Sequence, residues 1–152
     1  MTIEARLKAI EDRLALQEVV NSYCAAVDRL SDLDALVNLF TTDAVIDMSA
    51  IHLPHVEGHA GIRGFFGPVF ETMTHHAHHW SNFRIDRLEG DEASISAYVI
   101  GMGQSKDGNS VTVYVQYFMD CVRRGEYWKI KRYRIKPRMP LPKSLTEIHG
   151  EH

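Results

Sequence analysis

Hydrophobic residues recur along the chain with two different periods, one before residue 75 and the other after it. In the first half they are three and four residues apart, as on a helix that buries one face. In the second half they alternate with polar residues, as on the strands of a half-buried sheet. The helical pattern covers 3–30, a short segment after Ser31, and 58–73, with a short strand at 44–48. The alternating pattern predicts strands at 75–88, 93–104, 110–123 and 127–136.

The first predicted helix carries two apolar stripes that are out of phase. Ile3, Leu7, Ile10 and Leu14 recur at spacings of four, three and four residues, and a second stripe begins at Leu16. Because the phase shifts between Leu14 and Leu16, the sequence predicts that the two segments of this helix pack against different surroundings.

Helices that precede a series of strands are typical of an α+β domain. We therefore predict a single domain over 1–152, in which the N-terminal helices pack on the concave face of a strongly curved, mainly antiparallel sheet. Such a cone or barrel encloses a pocket, which is the first place to look for chemistry. The core is expected at about 5–136. Pro137, Pro140 and Pro142 predict that the sheet stops there and that 137–152 is a loose tail.

Composition and charge narrow the classes of protein. The 152 residues are 45% hydrophobic and 24% charged, with a formal net charge of −3. We expect no nucleic-acid partner, because one would normally require a basic face, and no membrane span, which needs ~20 apolar residues. Cys24 and Cys121 show neither metal-ligand spacing nor a disulfide framework, and the polar N-terminus does not resemble a signal peptide. A cytoplasmic location is therefore expected.

Four of the nine histidines occupy positions 75–79. On a strand, His76 and His78 share one face with Trp80 and Asn82, whereas His79 points the other way. Such a cluster is a candidate zinc site, a set of structural histidines, or an acid–base group, since imidazole titrates near neutral pH. The sequence offers no clear third ligand, so we predict no metal. His78 is the preferred acid–base residue, with His79 the alternative if the register shifts by one.

Five sequence elements, taken in order, resemble a known family. They are Tyr23-x4-Asp28, Asp32-Leu33-Asp34-Ala35-Leu36 followed by Phe40-x2-Asp43-Ala44, Gly58-x2-Gly61-Ile62, His78-x3-Asn82, and Gly125-x2-Trp128-x3-Arg132. Over roughly 5–136 they resemble the SnoaL-like branch of the nuclear transport factor 2-like superfamily, whose fold is an α+β cone. That superfamily includes scytalone dehydratase, ketosteroid isomerase, polyketide cyclases, hexachlorocyclohexane dehydrochlorinase and bile acid 7α-dehydratase.

The resemblance implies roles for four residues. Asp28 and His78 match the family's proton-abstracting dyad, Tyr23 matches the tyrosine that the dehydratases keep before the aspartate, and Arg132 matches an active-site arginine of the last strand. The dehydrochlorinase has a lysine at the position of Tyr23, which argues against a chloride-expelling reaction here.

The residues taken alone leave alternatives open. Asp28 is either a solvated carboxylate at a helix end, where the macrodipole disfavours it, or the partner of a histidine. Tyr23 is either a core residue or a hydrogen-bond donor to a ligand. Arg132 shares its predicted strand face with Trp128, which turns it inward and gives it a need for an acceptor. Residues expected to line the pocket are Trp80, Asn82, Phe65, Met102 and Trp128.

The expected function is that of a lyase or isomerase that needs no cofactor and abstracts a proton from a small, mostly apolar cyclic molecule. The alternative is a non-catalytic ligand-binding domain, or an accessory subunit like those of ring-hydroxylating dioxygenases. A contact of about 2.6–3.2 Å between Asp28 and His78 beside a pocket favours the enzyme. A homo-oligomer, dimer or trimer, is expected. The candidate contacts are the outer sheet face near Tyr114, Gln116 and Phe118, and the face that carries Lys129 and Lys131.

Overall fold

The computed structural model describes residues 1–150, which form four α-helices and one six-stranded sheet. The helices are α1 (Ile3–Arg29), α2 (Leu33–Val37), α3 (Gly58–Thr72) and α4 (Lys143–His149). The strands are β1 (Phe40–Asp47), β2 (His55–Glu57), β3 (Met73–Glu89), β4 (Glu92–Ser105), β5 (Ser110–Arg124) and β6 (Tyr127–Pro137). The long helical and alternating patterns of the sequence therefore correspond to real elements, and the predicted α+β class is confirmed.

The sheet has the strand order β2-β1-β6-β5-β4-β3. Strands β3 to β6 form an antiparallel meander, because each hairpin connection is short. Strand β1 lies beside β6 and runs parallel to it, with Phe40 opposite Ile130 and Ile46 opposite Tyr133. The sheet is thus mainly antiparallel, as predicted, but the parallel pair and the short strand β2 were not anticipated.

The second half of α1 packs against the sheet through its buried residues, which include Leu16, Val20 and Val27. Buried Asp12 anchors the helix, since it accepts hydrogen bonds from Lys8 Nζ at 2.8 Å and from Arg123 Nη2 at 2.9 Å. Burial raises the pKa of Asp12, but these two cations outweigh burial and leave the pKa below its usual range. A carboxylate therefore joins α1 to β5.

A bulge in β6 overturns the predicted orientation of Arg132. Asp120 of β5 lies opposite Arg132, whereas Cys121 lies opposite Ile130, so Lys131 is an extra residue in β6. An extra residue moves every later side chain to the other face of the strand. Tyr133 is consequently fully buried, while Arg132 is exposed on the outer surface.

The segment predicted as a loose tail is partly ordered. After Pro142 the chain forms α4, and Leu145 of this helix is buried in the core. Helix α4 is held at one end of the sheet by this contact, because a leucine side chain gains about 1.5–3 kcal/mol from burial. Residues 151–152 of the predicted tail lie outside the part of the chain that the structure describes.

Cys24 and Cys121 are both buried and free of any disulfide. Burial raises the pKa of each thiol to about 12, so both are protonated and unreactive at neutral pH. Within residues 1–150, none of the helices combines the length and apolarity needed to cross a bilayer.

Candidate active site

Strand β3 carries the histidine cluster past the C-terminal end of α1. His76 and His78 face the interior of the cone, where they line a cavity, whereas His75 and His79 are exposed. This division arises because successive side chains of a strand point to opposite faces. Of the two candidates, His78 reaches the interior and His79 does not.

Asp28 and His78 form a close pair. The Nδ1 atom of His78 lies 2.5 Å from Oδ1 of Asp28, and the backbone N–H of His78 donates to Oδ2 at 3.0 Å. Both carboxylate oxygens are therefore occupied by one residue, which fixes the orientation of the imidazole. With its hydrogen on Nδ1, a neutral His78 keeps the lone pair of Nε2 available to act as a base.

The environment keeps Asp28 ionised. Burial raises the pKa of its carboxyl group, but the hydrogen bonds from the side chain and backbone of His78 lower the pKa by more than burial raises it. The pKa of Asp28 therefore lies below its usual value. Asp28 lies in the last turn of α1, where the helix dipole disfavours a negative charge. The two donors from His78 explain why a carboxylate is held there.

Two further imidazoles lie near the pair. His76 is oriented by a hydrogen bond between its Nδ1 and the carbonyl of Val27 at 3.1 Å, and its ring centre is 5.5 Å from that of His78. The ring centre of His149, in α4, lies 6.3 Å from that of His76. Burial lowers the pKa of His76. Burial, and to a smaller extent repulsion from His76 and His78, lowers the pKa of His149 to about 4. Both rings are consequently neutral at pH 7.

The cavity has a volume of about 100 Å³ and a mostly apolar wall. Its polar side consists of three histidines and three tyrosines. Its apolar side is formed by Val27, Met48, Ile51, Leu53, Phe65, Phe66, Val69, Met102, Val111, Val113, Val115, Ile135 and Leu145. A mostly apolar molecule with one or two polar groups fits such a wall.

The three tyrosines form a compact cluster beside the dyad. Ring centres are 5.0 Å apart for Tyr23 and Tyr133, 5.0 Å for Tyr117 and Tyr133, and 5.6 Å for Tyr23 and Tyr117. Burial raises the pKa of all three, so they are neutral donors. The hydroxyl of Tyr133 is buried and makes no hydrogen bond of normal geometry within residues 1–150, although the hydroxyls of Tyr23 and Tyr117 lie close enough to influence its pKa. A ligand oxygen in the cavity could give this hydroxyl a hydrogen bond of better geometry.

Two glycines of β4 make room for the imidazoles. Gly101 lies opposite His78 in the sheet, and Gly103 lies opposite His76. A Cβ atom on Gly101 would lie 3.2 Å from Nε2 of His78, and one on Gly103 would lie 2.9 Å from Cδ2 of His76. Any larger residue would push the rings away, so these glycines shape the site.

The structure brings together some of the predicted site residues and separates others. Tyr23, His78, Phe65 and Met102 line the cavity, and Asp28 lies directly behind His78.

Four predicted residues lie away from the cavity. Trp80 donates from Nε1 to Oδ1 of Asn21 at 2.5 Å, and Asn82 is exposed with a φ of 54° at an irregularity of β3. Trp128 is buried under the guanidinium of Arg123, 4.5 Å from the ring centre. The interior-facing prediction for Arg132 is wrong because of the bulge at Lys131.

Some wall residues escaped the sequence analysis. Tyr117 and Tyr133 look like ordinary core positions of alternating strands, and His149 belongs to a segment that follows three prolines. The pair Gly101-x-Gly103 was an available signal, since glycine inside a strand marks a close approach of another group.

The sequence showed no third metal ligand near the histidine cluster, but the fold brings Asp28 beside it. Asp28, His76 and His78 each offer one ligand atom, and these atoms lie within 4.8 Å of one another. A metal ion there would have to compete with the hydrogen bond between Asp28 and His78. The expectation of a metal-free site therefore remains a prediction.

Comparison with known proteins identifies the family. The chain belongs to the SnoaL-like domain family, whose model matches residues 8–134. Among solved structures, a "putative aromatic ring hydroxylase" from Novosphingobium aromaticivorans DSM is 52% identical, with a TM-score of 0.85 over 88% of this chain and 93% of that chain. A comparison with curated proteins found no match.

Two more distant structures share the fold. A "putative scytalone dehydratase" from Novosphingobium aromaticivorans DSM 12444 is 22% identical, with a TM-score of 0.79 over 89% of each chain. The hexachlorocyclohexane dehydrochlorinase LinA-type3 from Novosphingobium barchaimii LL02 is 18% identical, with a TM-score of 0.75 over 88% of this chain and 91% of that chain. The predicted membership in the SnoaL-like family is confirmed, and the chain shares the α+β fold of these two structures.

Proposed function

We propose that this protein is a lyase or isomerase of the dehydratase kind, which needs no cofactor and removes a proton from a carbon atom of a small, mostly apolar cyclic molecule. The observation that carries the proposal is the 2.5 Å contact between Asp28 and His78 at the wall of an apolar cavity. His78 is only 14% exposed, so water competes weakly for its free nitrogen.

The dyad divides the work of proton transfer. Nε2 of His78 takes the proton from a carbon next to a carbonyl group, and Asp28 stabilises the imidazolium that forms. The negative charge that develops on the substrate oxygen accepts hydrogen bonds from the hydroxyls of the tyrosine cluster, whose three residues line the cavity. In a dehydration, the proton on Nε2 then passes to the departing hydroxyl group, which leaves as water.

This arrangement revises the role expected for Arg132. The arginine is exposed on the outer surface, so the donors of the proposed oxyanion site are neutral tyrosine hydroxyls instead. Neutral donors suit an apolar cavity, because a buried guanidinium without a fixed partner would cost several kcal/mol.

Exchange of carbon-bound hydrogen tests the proposal whatever product the reaction yields. The protein is incubated in D2O with a panel of cyclic ketones that carry a β-hydroxyl group, and mass spectrometry follows deuterium uptake and loss of water. His78→Gln should lower the rate on an active compound by roughly 10²–10⁴-fold. The matched control is His79→Gln, the same change on the adjacent, exposed histidine, which should keep the wild-type rate. If both variants keep the wild-type rate, the proposed base is wrong.

The alternative is a domain that binds a ring compound without reaction. The largely apolar wall supports it, since apolar contacts alone can hold a ring compound. Thermal stabilisation by members of the panel, with no exchange or elimination from any of them, would favour this alternative over the enzyme.

A further inference from the structure

The N-terminal part of α1 carries an apolar stripe that nothing within residues 1–150 covers. Every residue from Met1 to Glu11 is exposed. The stripe consists of Ile3, Leu7, Ile10 and Leu14, which are 76%, 53%, 56% and 58% exposed. Four large apolar side chains in one row form a surface that normally marks an interaction site.

The stripe faces away from the domain to which α1 belongs. At about 100° per residue, its four members fall within roughly 60° of one another around the helix. The centre of the stripe lies about 150–170° from the buried positions Asp12, Leu16 and Tyr23. The phase shift seen in the sequence therefore corresponds to two faces of one helix, one packed on its own sheet and the other free.

The spacing of the stripe is that of a coiled-coil seam. In a heptad, Leu7 and Leu14 occupy a positions, and Ile3 and Ile10 occupy d positions. The exposed segment Ile3–Leu14 is about three turns long, and a helical segment of that length is only marginally stable in water on its own. A seam against other helices would stabilise this one and cover the stripe.

The charges beside the seam indicate which helix packs against it and in which direction that helix runs. The e positions hold Glu4, Glu11 and Glu18, and the g positions hold Arg6 and Arg13. In a parallel pair of identical helices, a g residue lies beside the e residue of the following heptad, which places Arg6 of one copy near Glu11 of the other. In an antiparallel pair, e faces e and g faces g, so that like charges would meet.

We propose that copies of this chain associate through the Ile3–Leu14 stripe, with their α1 helices parallel. Leucine at a and isoleucine at d favour bundles of more than two helices over a simple pair. The seam is only about 17 Å long, so the assembly forms reversibly and depends on protein concentration. The proposal is independent of the chemistry proposed for the cavity.

The outer sheet face is a weaker candidate for the same contact. Two of its aromatic residues are already partly covered within the chain, since the guanidinium of Arg134 lies 3.9 Å from the Phe118 ring centre and that of Arg138 lies 5.0 Å from the Tyr98 ring centre. Tyr114 on the same face is 47% exposed, but it is a single side chain and not a row of four. Within residues 1–150, the α1 stripe has no such cover.

Sedimentation velocity on the full chain over a wide concentration range tests the proposal. The wild-type protein should form a species of at least dimer mass, and the Leu7→Gln/Ile10→Gln variant should be monomeric at the same concentrations. The matched control is Ala5→Gln/Ala9→Gln, which places the same side chains on the opposite face of the helix and should associate like the wild type. A wild-type protein that stays monomeric throughout, or a stripe variant that associates as strongly as the wild type, would overturn the proposal.

A charge exchange tests the direction of the helices. Arg6→Glu and Glu11→Arg should each weaken association, and the double variant should restore it, because the pair between copies is re-formed with reversed signs. Stronger association of Arg6→Glu than of the wild type would mean antiparallel helices and would refute the parallel arrangement.

Discussion

Replacement of Asp28 by asparagine is the sharpest test of the dyad. In the wild type both oxygens of Asp28 accept hydrogen bonds from His78, one from Nδ1 and one from the backbone N–H. An asparagine has one oxygen and one NH2 group, so it can accept only one of them. Either its NH2 group meets the backbone N–H, or it donates to Nδ1 and drives the hydrogen of the imidazole to Nε2. In the second case the base loses the lone pair that the mechanism uses.

The size of the effect follows from the geometry. A full charge on the imidazolium and one on Asp28, about 4 Å apart, attract each other by roughly 4 kcal/mol at an effective dielectric constant of 20. Asp28 is 29% exposed, which reduces this value. About 2–3 kcal/mol of transition-state stabilisation should be lost, which corresponds to a fall in kcat of roughly 30- to 150-fold.

The exchange assay measures this fall on any compound that the wild type processes. Asp120→Asn is the control, because Asp120 is an exposed carboxylate that accepts a hydrogen bond from Ser94 and takes no part in the cavity. If Asp28→Asn keeps its fold by circular dichroism and its kcat stays within about twofold of the wild type, the assignment of the dyad is wrong.

Three further predictions concern the walls of the cavity and the surface. The pKa of His149 in the folded protein is about 4, below its unfolded value of 6.5, so the docked state of α4 should be fully stable above pH 6.5 and lose roughly 3 kcal/mol as the pH falls toward 4. Hydrogen exchange of α4 as a function of pH measures this, and in His149→Phe the dependence should shrink, leaving only the weaker contribution of His76. Gly101→Ala should lower kcat by roughly 10- to 100-fold, because its Cβ would displace His78, whereas Gly64→Ala, which meets nothing within 4 Å, should not. Arg132→Gln should leave kcat unchanged, and a loss of about 10-fold would contradict the outer position of Arg132.

The long elements of the fold could be predicted because they are strongly periodic. The 3–4 spacing of α1 and α3 and the alternation of β3 to β6 persist over many residues, so single exceptions do not obscure them. The pairing of β1 with β6 could not be predicted in this way, since it depends on contacts between distant segments and leaves no local pattern.

The site was only partly predictable for a similar reason. His78 and Asp28 could be proposed from the resemblance and the histidine cluster, and their roles stay predictions until variants are measured. The exposure of Arg132 depends on the bulge at Lys131, which the sequence marks only by two adjacent charged residues, Lys131 and Arg132. His149 reaches the cavity because α4 folds back after three prolines, which the local sequence does not indicate.

The parallel contact of β1 with β6 makes folding of this chain depend on distant partners. Phe40 lies opposite Ile130, ninety positions later, so β1 cannot take its place in the sheet until the last strand has left the ribosome. Loop closure over such a distance slows folding relative to a chain of neighbouring hairpins. Until that moment the edge of β1 that pairs with β6 stays open, and an open strand edge favours aggregation.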